Sequence, residues 1–416
     1  MKVLMTTQPG LGHLHPMLPL ARALQEAGHT VAFACAAAFV PEVTTAGFEA
    51  FAAGIDWLES RVEEAFPEAR ALDADARSQL ISDIFLDDAA HQMAHDLLPL
   101  CREWQPDVIV RDHFEYGGCV AAEVLALPHA AVGIEFFIPE YLSRLEMESR
   151  LAYLRSAYGL PPYPAQEMLS RYLHFSYIAP CYQFPNFPVP VTAHPMRPVF
   201  FEATEPVALP AWVAELPERP TVYVTLGTVF NRAVEIFTPI LEGLKSLPLN
   251  VIVTVGRTLD PEALGPQPEH IRVERYISQA ALLPHCDAVI THGGFSTTLA
   301  ALAQGLPVVV TPLSAHHPLH ARRCLDLGVG RVLLRRPGLF PEHFQAEEAP
   351  LLTADNVRAA VQAILEEVQY REAAQRLAAE IRALPGPEVA VRLLEHLARE
   401  RQPLIASSSV RSVSHG

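Results

Sequence analysis

None of the six cysteines, Cys35, Cys101, Cys119, Cys181, Cys286 and Cys324, stands in a C-x-x-C pair. Neither a zinc site nor a disulfide framework is implied, and the thiols read as small buried residues of a reducing compartment. Positive charge is scarce as well: 31 Lys and Arg face 47 Asp and Glu, a formal charge of −16. That balance argues against nucleic acid or an anionic membrane surface as a partner. No apolar run approaches the roughly 18 residues that a membrane span needs. The opening stretch from Met1 to Thr7 is too short for a signal peptide, so a cytoplasmic location is expected. Short-period repeats are missing too. What is there is a chain of 416 residues, 50% of them hydrophobic, which predicts two domains of roughly 200 residues each.

Both halves alternate short apolar runs with helical stretches. In the first half, strands are expected at Lys2 to Thr7, Thr30 to Cys35, Asp107 to Asp112 and Ala130 to Gly133. A helix after Gly12 is expected to end at Gly28, with Pro16 and Pro19 in or near its first turn, where a missing N–H costs least. A proline-rich, acidic stretch from about Pro195 to Pro220 reads as a linker. Strand-like runs then resume at Thr221 to Leu226, Val251 to Val255, Ile271 to Tyr276, Ala288 to Thr291, Val308 to Thr311 and Arg331 to Leu334. The end of the chain, from Thr353 to about Arg401, has helical period, and 404–416 is expected to be a disordered tail. Such alternation implies α/β architecture with parallel sheets covered on both faces. Open sheets of this kind bind ligands outside the carboxyl ends of their strands, so two of them facing each other would form one cleft with two half-sites.

The most informative segment runs from the strand ending at Thr291 through His292, Gly293 and Gly294 to Phe295, Ser296, Thr297 and Thr298. The glycines allow a sharp turn and close approach to a ligand, and the first N–H groups of the following helix point outward with the positive end of its dipole behind them. That is a cradle for a phosphate; an ordinary βαβ turn is the plain alternative. Thr228, just after the strand Thr221 to Leu226, is expected near the same phosphates, and Tyr276 one strand earlier in sequence offers a ring on which a nucleobase could stack, although core tyrosines are commoner.

In the first half, His13 follows Gly12 at the carboxyl end of the first strand, and Asp112 closes a later strand of the same sheet. If those strands are neighbours, the carboxylate orients one imidazole nitrogen and leaves the other to take a proton from a hydroxyl. Helix-cap and turn roles are the alternative, and His15 competes for the same assignment on spacing alone. A dinucleotide fingerprint is excluded, because the third glycine of G-x-G-x-x-G is His15 and no acidic residue follows the second strand, which ends Cys35-Ala36-Ala37-Ala38.

Taken together, the G-H-x-x-P start at Gly12 to Pro16, the strand Val222 to Thr228 and the His292-Gly293-Gly294 cradle resemble the family 1 GT-B glycosyltransferases, and most closely the bacterial natural-product enzymes with macrolide, polyketide or aromatic acceptors. The resemblance spans essentially the whole chain. It implies two facing Rossmann-like domains with an interdomain cleft, and an inverting, metal-independent hexosyltransferase that moves a sugar from a UDP- or dTDP-sugar to a hydroxyl of a small lipophilic or phenolic acceptor. By resemblance, His13 is the general base and Asp112 its partner; Thr228, His292, Gly293, Gly294, Ser296 and Thr297 hold the diphosphate; Tyr276, Ile277 and Gln279 lie by the base. It also implies that the last helices, 376–403, pack back on the first domain, so that the domains run 1–195 and 221–375 about a linker at 196–220.

Two departures stand out. Many relatives carry a ribose-binding glutamate where this chain has Ala300, which leaves dTDP as open as UDP. The Asp-Gln pair that commonly grips the sugar is replaced by the stretch leading to His316 and His317, whose imidazoles can still donate and accept hydrogen bonds. The pair Asp73 and Asp75 has the D-x-D spacing of metal-dependent sugar transferases but lies in an alanine-rich helical stretch and reads as a solvated face. No metal or other cofactor is expected. Trp57, Phe85, Phe136 and Phe137 are the candidates for an apolar or aromatic acceptor pocket, and equally for core. The alternatives are a nucleotide-sugar epimerase or hydrolase on the same fold, or a silent nucleotide-sugar-binding partner protein; the chain is expected to be a monomer or homodimer.

Overall fold

The computed structural model describes all residues except 73, 138–144, 201–207, 228–233, 257–258, 314–315, 338–348 and 407–416. The chain divides into two compact units, Met1–Thr204 with Ala383–Gly416, and Glu205–Arg382. Each is built on one parallel sheet.

The first unit contains β1 (Lys2–Thr6), β2 (Thr30–Cys35), β3 (Glu49–Ala52), β4 (Val108–Asp112), β5 (His129–Gly133), β6 (Leu173–Ser176) and β7 (Ala193–Pro195), in the order β3-β2-β1-β4-β5-β6-β7. Met5 pairs with Phe33 on one side and Val110 on the other, so the winding reverses between β1 and β4. Ligands bind at that switch point in open α/β sheets. Leu4, Ala32, Ala34 and Ile109 form one core with Met93, Leu97 and Ala121, from the helices Asp88–Trp104 and Gly117–Val124. Gly117 allows those helices to touch, since a Cβ there would lie 2.6 Å from the Ala90 carbonyl oxygen.

The second unit repeats the plan with β8 (Thr221–Thr225), β9 (Asn250–Thr254), β10 (Ile271–Glu274), β11 (Ala288–Thr291), β12 (Val308–Val310) and β13 (Gly330–Val332), in the order β10-β9-β8-β11-β12-β13. Its switch point lies between β8 and β11, where Thr225 pairs with Thr291. Val222, Val224, Val251, Val253 and Ile290 meet Phe237, Ile240, Val357 and Val361 of the helices Val234–Leu244 and Ala354–Glu366. The near-continuous apolar character of these strands follows from burial on both faces.

The final helix, Pro387–Glu400, packs on Leu11–Glu26 within the first unit. His29 Nε2 lies 3.0 Å from Glu395 Oε1, and the Arg197 amide donates to the Pro385 carbonyl. Two expectations are corrected, and three strands go unread in the sequence. The tail is ordered beyond residue 404, because the Leu404 and Ala406 amides donate to the carbonyls of Tyr172 and Val191; only 407–416 fall outside the described residues. Pro16 and Pro19 sit inside the helix Leu11–Glu26 rather than at its first turn, held there by burial of both rings. The short strands β3, β6 and β7 carry too few residues to show a period in sequence. None of the six cysteines is in a disulfide, and burial pushes the Cys35, Cys101, Cys119 and Cys286 thiols up to about 12. Among the described residues, no helix is long and apolar enough to cross a membrane.

Candidate active site

At the β1/β4 switch point the chain leaves β1 through Thr7 and Gly10 and enters the helix Leu11–Glu26, with Gly10 as its N-cap. His13 lies in the first turn, its amide donating to the Gly10 carbonyl. Its Nδ1 is 2.8 Å from Oδ2 of Asp112, the last residue of β4. Both side chains are buried. The loop beyond β4 is clamped around this pair. Arg111, fully buried, donates to the carbonyls of Asp112, His113, Glu115 and Leu169. Gln8 Nε2 donates to the Phe114 carbonyl, and Thr6 Oγ1 to Glu115 Oε2 at 2.5 Å. These bonds tie the ends of β1 and β4 to each other, so the histidine–carboxylate distance is set by backbone that cannot drift independently.

The His13 ring is walled by the edges of Phe85 at 5.4 Å and Phe114 at 5.6 Å, with Trp57 5.7 Å beyond Phe85. On its other nitrogen, Nε2, stands Glu59 Oε2 at 3.8 Å. Burial disfavours the imidazolium, but Asp112, by charge and hydrogen bond, and then Glu59 and Glu135 outweigh it and raise His13 to about 9. Burial raises Glu135 to about 8 against the charge of His13, and it raises Glu59 as well. Phe136 and Phe137 belong to a neighbouring aromatic group: Phe136 packs on Tyr182 and Phe184, and Phe137 on His174. The ring that reaches Asp112 is His13, which separates it from His15.

At the β8/β11 switch point, His292 follows β11 and Gly294 caps the helix Phe295–Ala303 with no side-chain cap and no acidic residue in the first turn. The His292 ring lies between two backbones. A Cβ on Gly227 would come 2.5 Å from its Cε1, and one on Gly294 would overlap its Nε2. Gly227 and Gly293 also take positive φ, 76° and 91°, which side chains rarely adopt. The ring of His317 meets His292 edge-on at 4.6 Å. Burial lowers His292 to about 4 despite its bond to the Thr225 backbone, lowers His320 to about 3, and holds His317 well below the usual histidine range. His316 caps the helix His317–Asp326. Ser296 and the buried Thr297 occupy the first turn of the cradle helix, and Gln279 Nε2 donates to Thr297 Oγ1 at 3.3 Å. That bond matters because β10, which precedes Gln279, is an edge strand three places from β11; neighbouring strands do not bring this segment to the cradle. Tyr276 is 56% exposed and Ile277 is buried. Thr228 lies outside the described residues, as does Asp73 of the D-x-D pair. Uncapped helix amides beside neutral imidazoles can hold an anion without formal positive charge.

The erythromycin biosynthesis protein CIII-like family matches this chain over both halves, its N-terminal domain at residues 22–227 and its C-terminal domain at 239–397. The chain belongs to that family. It is a family 1 GT-B glycosyltransferase of the bacterial natural-product type. It is 31% identical to 4'-demethylrebeccamycin synthase of Lentzea aerocolonigenes, over 95% of this chain and 99% of the relative. It is 30% identical to L-demethylnoviosyl transferase of Streptomyces niveus, over 97% of this chain and 99% of the relative. Among solved structures, the glycosyltransferase VinC in complex with dTDP superposes with a TM-score of 0.75 at 26% identity, covering 96% of this chain and 100% of that one.

Sequence reasoning on this glycosyltransferase missed Glu59, Glu135 and Phe114 beside His13, and His320 beside the cradle. Phe114 and His320 stand close in sequence to residues already singled out, and that proximity was a usable signal. Glu59 opens a single 3-10 turn, Glu59–Arg61, before the short helix Val62–Ala65, where neither period nor motif marks it.

Proposed function

We propose that this glycosyltransferase moves a sugar, with inversion, from a dTDP-sugar to a hydroxyl of a small lipophilic aromatic acceptor, with His13 as general base and no metal ion or other cofactor. The observation that carries this reading is the 2.8 Å contact of His13 Nδ1 with Asp112 at a sheet switch point walled by Phe85, Phe114 and Trp57. In the reaction, the acceptor O–H bond breaks and its proton passes to His13 Nε2. The oxygen bonds to the anomeric carbon as the bond from that carbon to the phosphate oxygen breaks. Negative charge then grows on the departing nucleotide diphosphate, where the amides at Gly293 to Phe295, the hydroxyls of Ser296 and Thr297 and the neutral His292 would stabilise it. His316 and His317 would bond the sugar hydroxyls, and Ile277 and Gln279 would flank the nucleobase. The choice of dTDP draws support from relatives: VinC and SsfS6 were solved with thymidine diphosphate, and a relative from Streptomyces peucetius is named a TDP-daunosamine transferase.

The test is a panel of dTDP- and UDP-sugars incubated with aromatic and polyketide-like acceptors. Nucleotide diphosphate release should require an acceptor, and the product's anomeric configuration, read by NMR, should be opposite to that of the donor. Release without acceptor would instead mark a hydrolase, and retained configuration would refute the single displacement.

A further inference from the structure

The base proposed above is flanked by carboxylates on both nitrogens, although orientation requires only one. Asp112 takes Nδ1 at 2.8 Å, while Glu59 Oε2 stands 3.8 Å from Nε2, beyond hydrogen-bond range but well within the reach of its charge. Glu59 is held there. Its amide donates to the Pro9 carbonyl at 3.2 Å, and its carboxylate packs over Gly10 so closely that a Cβ on Gly10 would overlap Oε2. Gly10 is extended, with φ −141°, so a conformational need does not explain the glycine; the space taken by Glu59, and by the His13 ring 3.2 Å from where a Cβ would lie, does.

Resting on the reading of His13 as base, we infer that Glu59 is a positioning residue that sets the proton affinity of His13 and so the pH range in which the enzyme can deprotonate its acceptor. An anion facing Nε2 favours the imidazolium. It strengthens the base towards a weakly acidic acceptor hydroxyl but reduces the share of neutral imidazole at neutral pH. The groups that face His13 are Asp112 from β4, Glu59 from its loop and Glu135 from beyond β5, with the uncharged rings of Phe85 and Phe114. Those that face Glu59 are His13 and Asp112; on its own segment Arg61 pairs with Glu64, and Glu63 with Arg77. With His13 near 9, only about 1% of the imidazole is neutral at pH 7, and each unit by which its affinity falls raises that share about tenfold.

The experiment titrates His13 by NMR in protein carrying labelled histidine, the signal assigned by its loss in His13→Ala, alongside kcat/KM against pH, for the parent and Glu59→Gln. Glu59→Asp, which keeps the carboxylate but draws it back from Nε2, serves as the second variant. In both variants the His13 midpoint should fall by about one unit, and the acid limb of kcat/KM should fall with it. Glu59→Gln would then be several-fold faster than the parent near pH 6 and slower above pH 9, with dTDP affinity unchanged. A His13 midpoint that stays put in both variants overturns the role of Glu59 while leaving His13 as base. A midpoint that moves while the rate profile does not shows that His13 is not the base, and with it the catalytic role of Glu59 falls.

Discussion

His13 Nδ1 and Asp112 Oδ2 meet at 2.8 Å although 99 residues separate them in the chain. The meeting follows from β1 and β4 being neighbours, which places the residues that follow both strands at one crevice. In the proposed mechanism the carboxylate fixes the tautomer and stabilises the imidazolium formed in transfer. Asp112→Asn should therefore lower kcat by roughly 10²- to 10⁴-fold, and His13→Ala by a similar factor, with dTDP affinity nearly unchanged. Single-turnover rates on an acceptor of high pKa would test this. A parent-like rate in either variant removes the pair from the mechanism.

His292 has no spare room between Gly227 and Gly294. Because Gly294 has an ordinary φ of −65°, Gly294→Ala adds crowding without backbone strain. Overpacking of this kind costs roughly 1–3 kcal/mol, so dTDP binding should weaken about 5- to 150-fold while the His13 titration stays in place. Calorimetry gives the first quantity and NMR the second. Unchanged dTDP affinity would mean that His292 does not touch the nucleotide.

On the proposed reading, donor choice turns on Ala300, which is buried in the cradle helix. A carboxylate there would accept from both ribose hydroxyls, and leaving it unpaired would cost roughly 1–3 kcal/mol. Without it, dTDP should bind at least as tightly as within about tenfold of UDP, a gap of about 1.4 kcal/mol. Ala300→Glu should shift the preference towards UDP. Strong UDP selectivity in the parent would mean that another group reads the 2′-hydroxyl.

In the proposed mechanism the cradle stabilises the leaving group through amides and neutral imidazoles, so turnover should survive excess EDTA. An absolute requirement for added Mg²⁺ or Mn²⁺ would assign that charge to an ion instead.

Acid should destabilise the second unit. His292 is lowered to about 4 and His320 to about 3, while the unfolded chain titrates near 6.5. Between these values the unfolded state binds more protons, so stability falls as pH drops below 6.5, by up to a few kcal/mol per buried histidine. His13 has the opposite sign: its contribution is present below 6.5 and is lost as pH rises through about 9. Chemical denaturation at pH 7 and pH 5 should show the acid loss, and His320→Leu should make it shallower. An equal slope in the variant would place the acid sensitivity elsewhere.

Much of the fold was legible because each strand is short, apolar and followed by turn residues. Thr30 to Cys35 and Ala288 to Thr291 were bounded to the residue, and the other expected strands to within one or two. Gly28, with positive φ, marks where the helix Leu11–Glu26 stops, as its position implied, and Gly305, also with positive φ, follows the end of the cradle helix. Pro16 and Pro19 misled, since local propensity puts proline at a helix start and tertiary burial kept both inside.

By itself the sequence determined the two parallel-sheet units and which strand ends carry His13, Asp112 and His292, because periodicity, glycine and helix-start chemistry act over a few residues. Only the tertiary structure decided what surrounds them. It brought Glu59 and Glu135 to bear on one imidazole, pressed His317 against His292, and carried Gln279 from the end of an edge strand to Thr297. Those side chains are far apart in sequence and arrive by irregular paths. Burial and the charges they meet there, more than the residue types, raise His13 and lower His292.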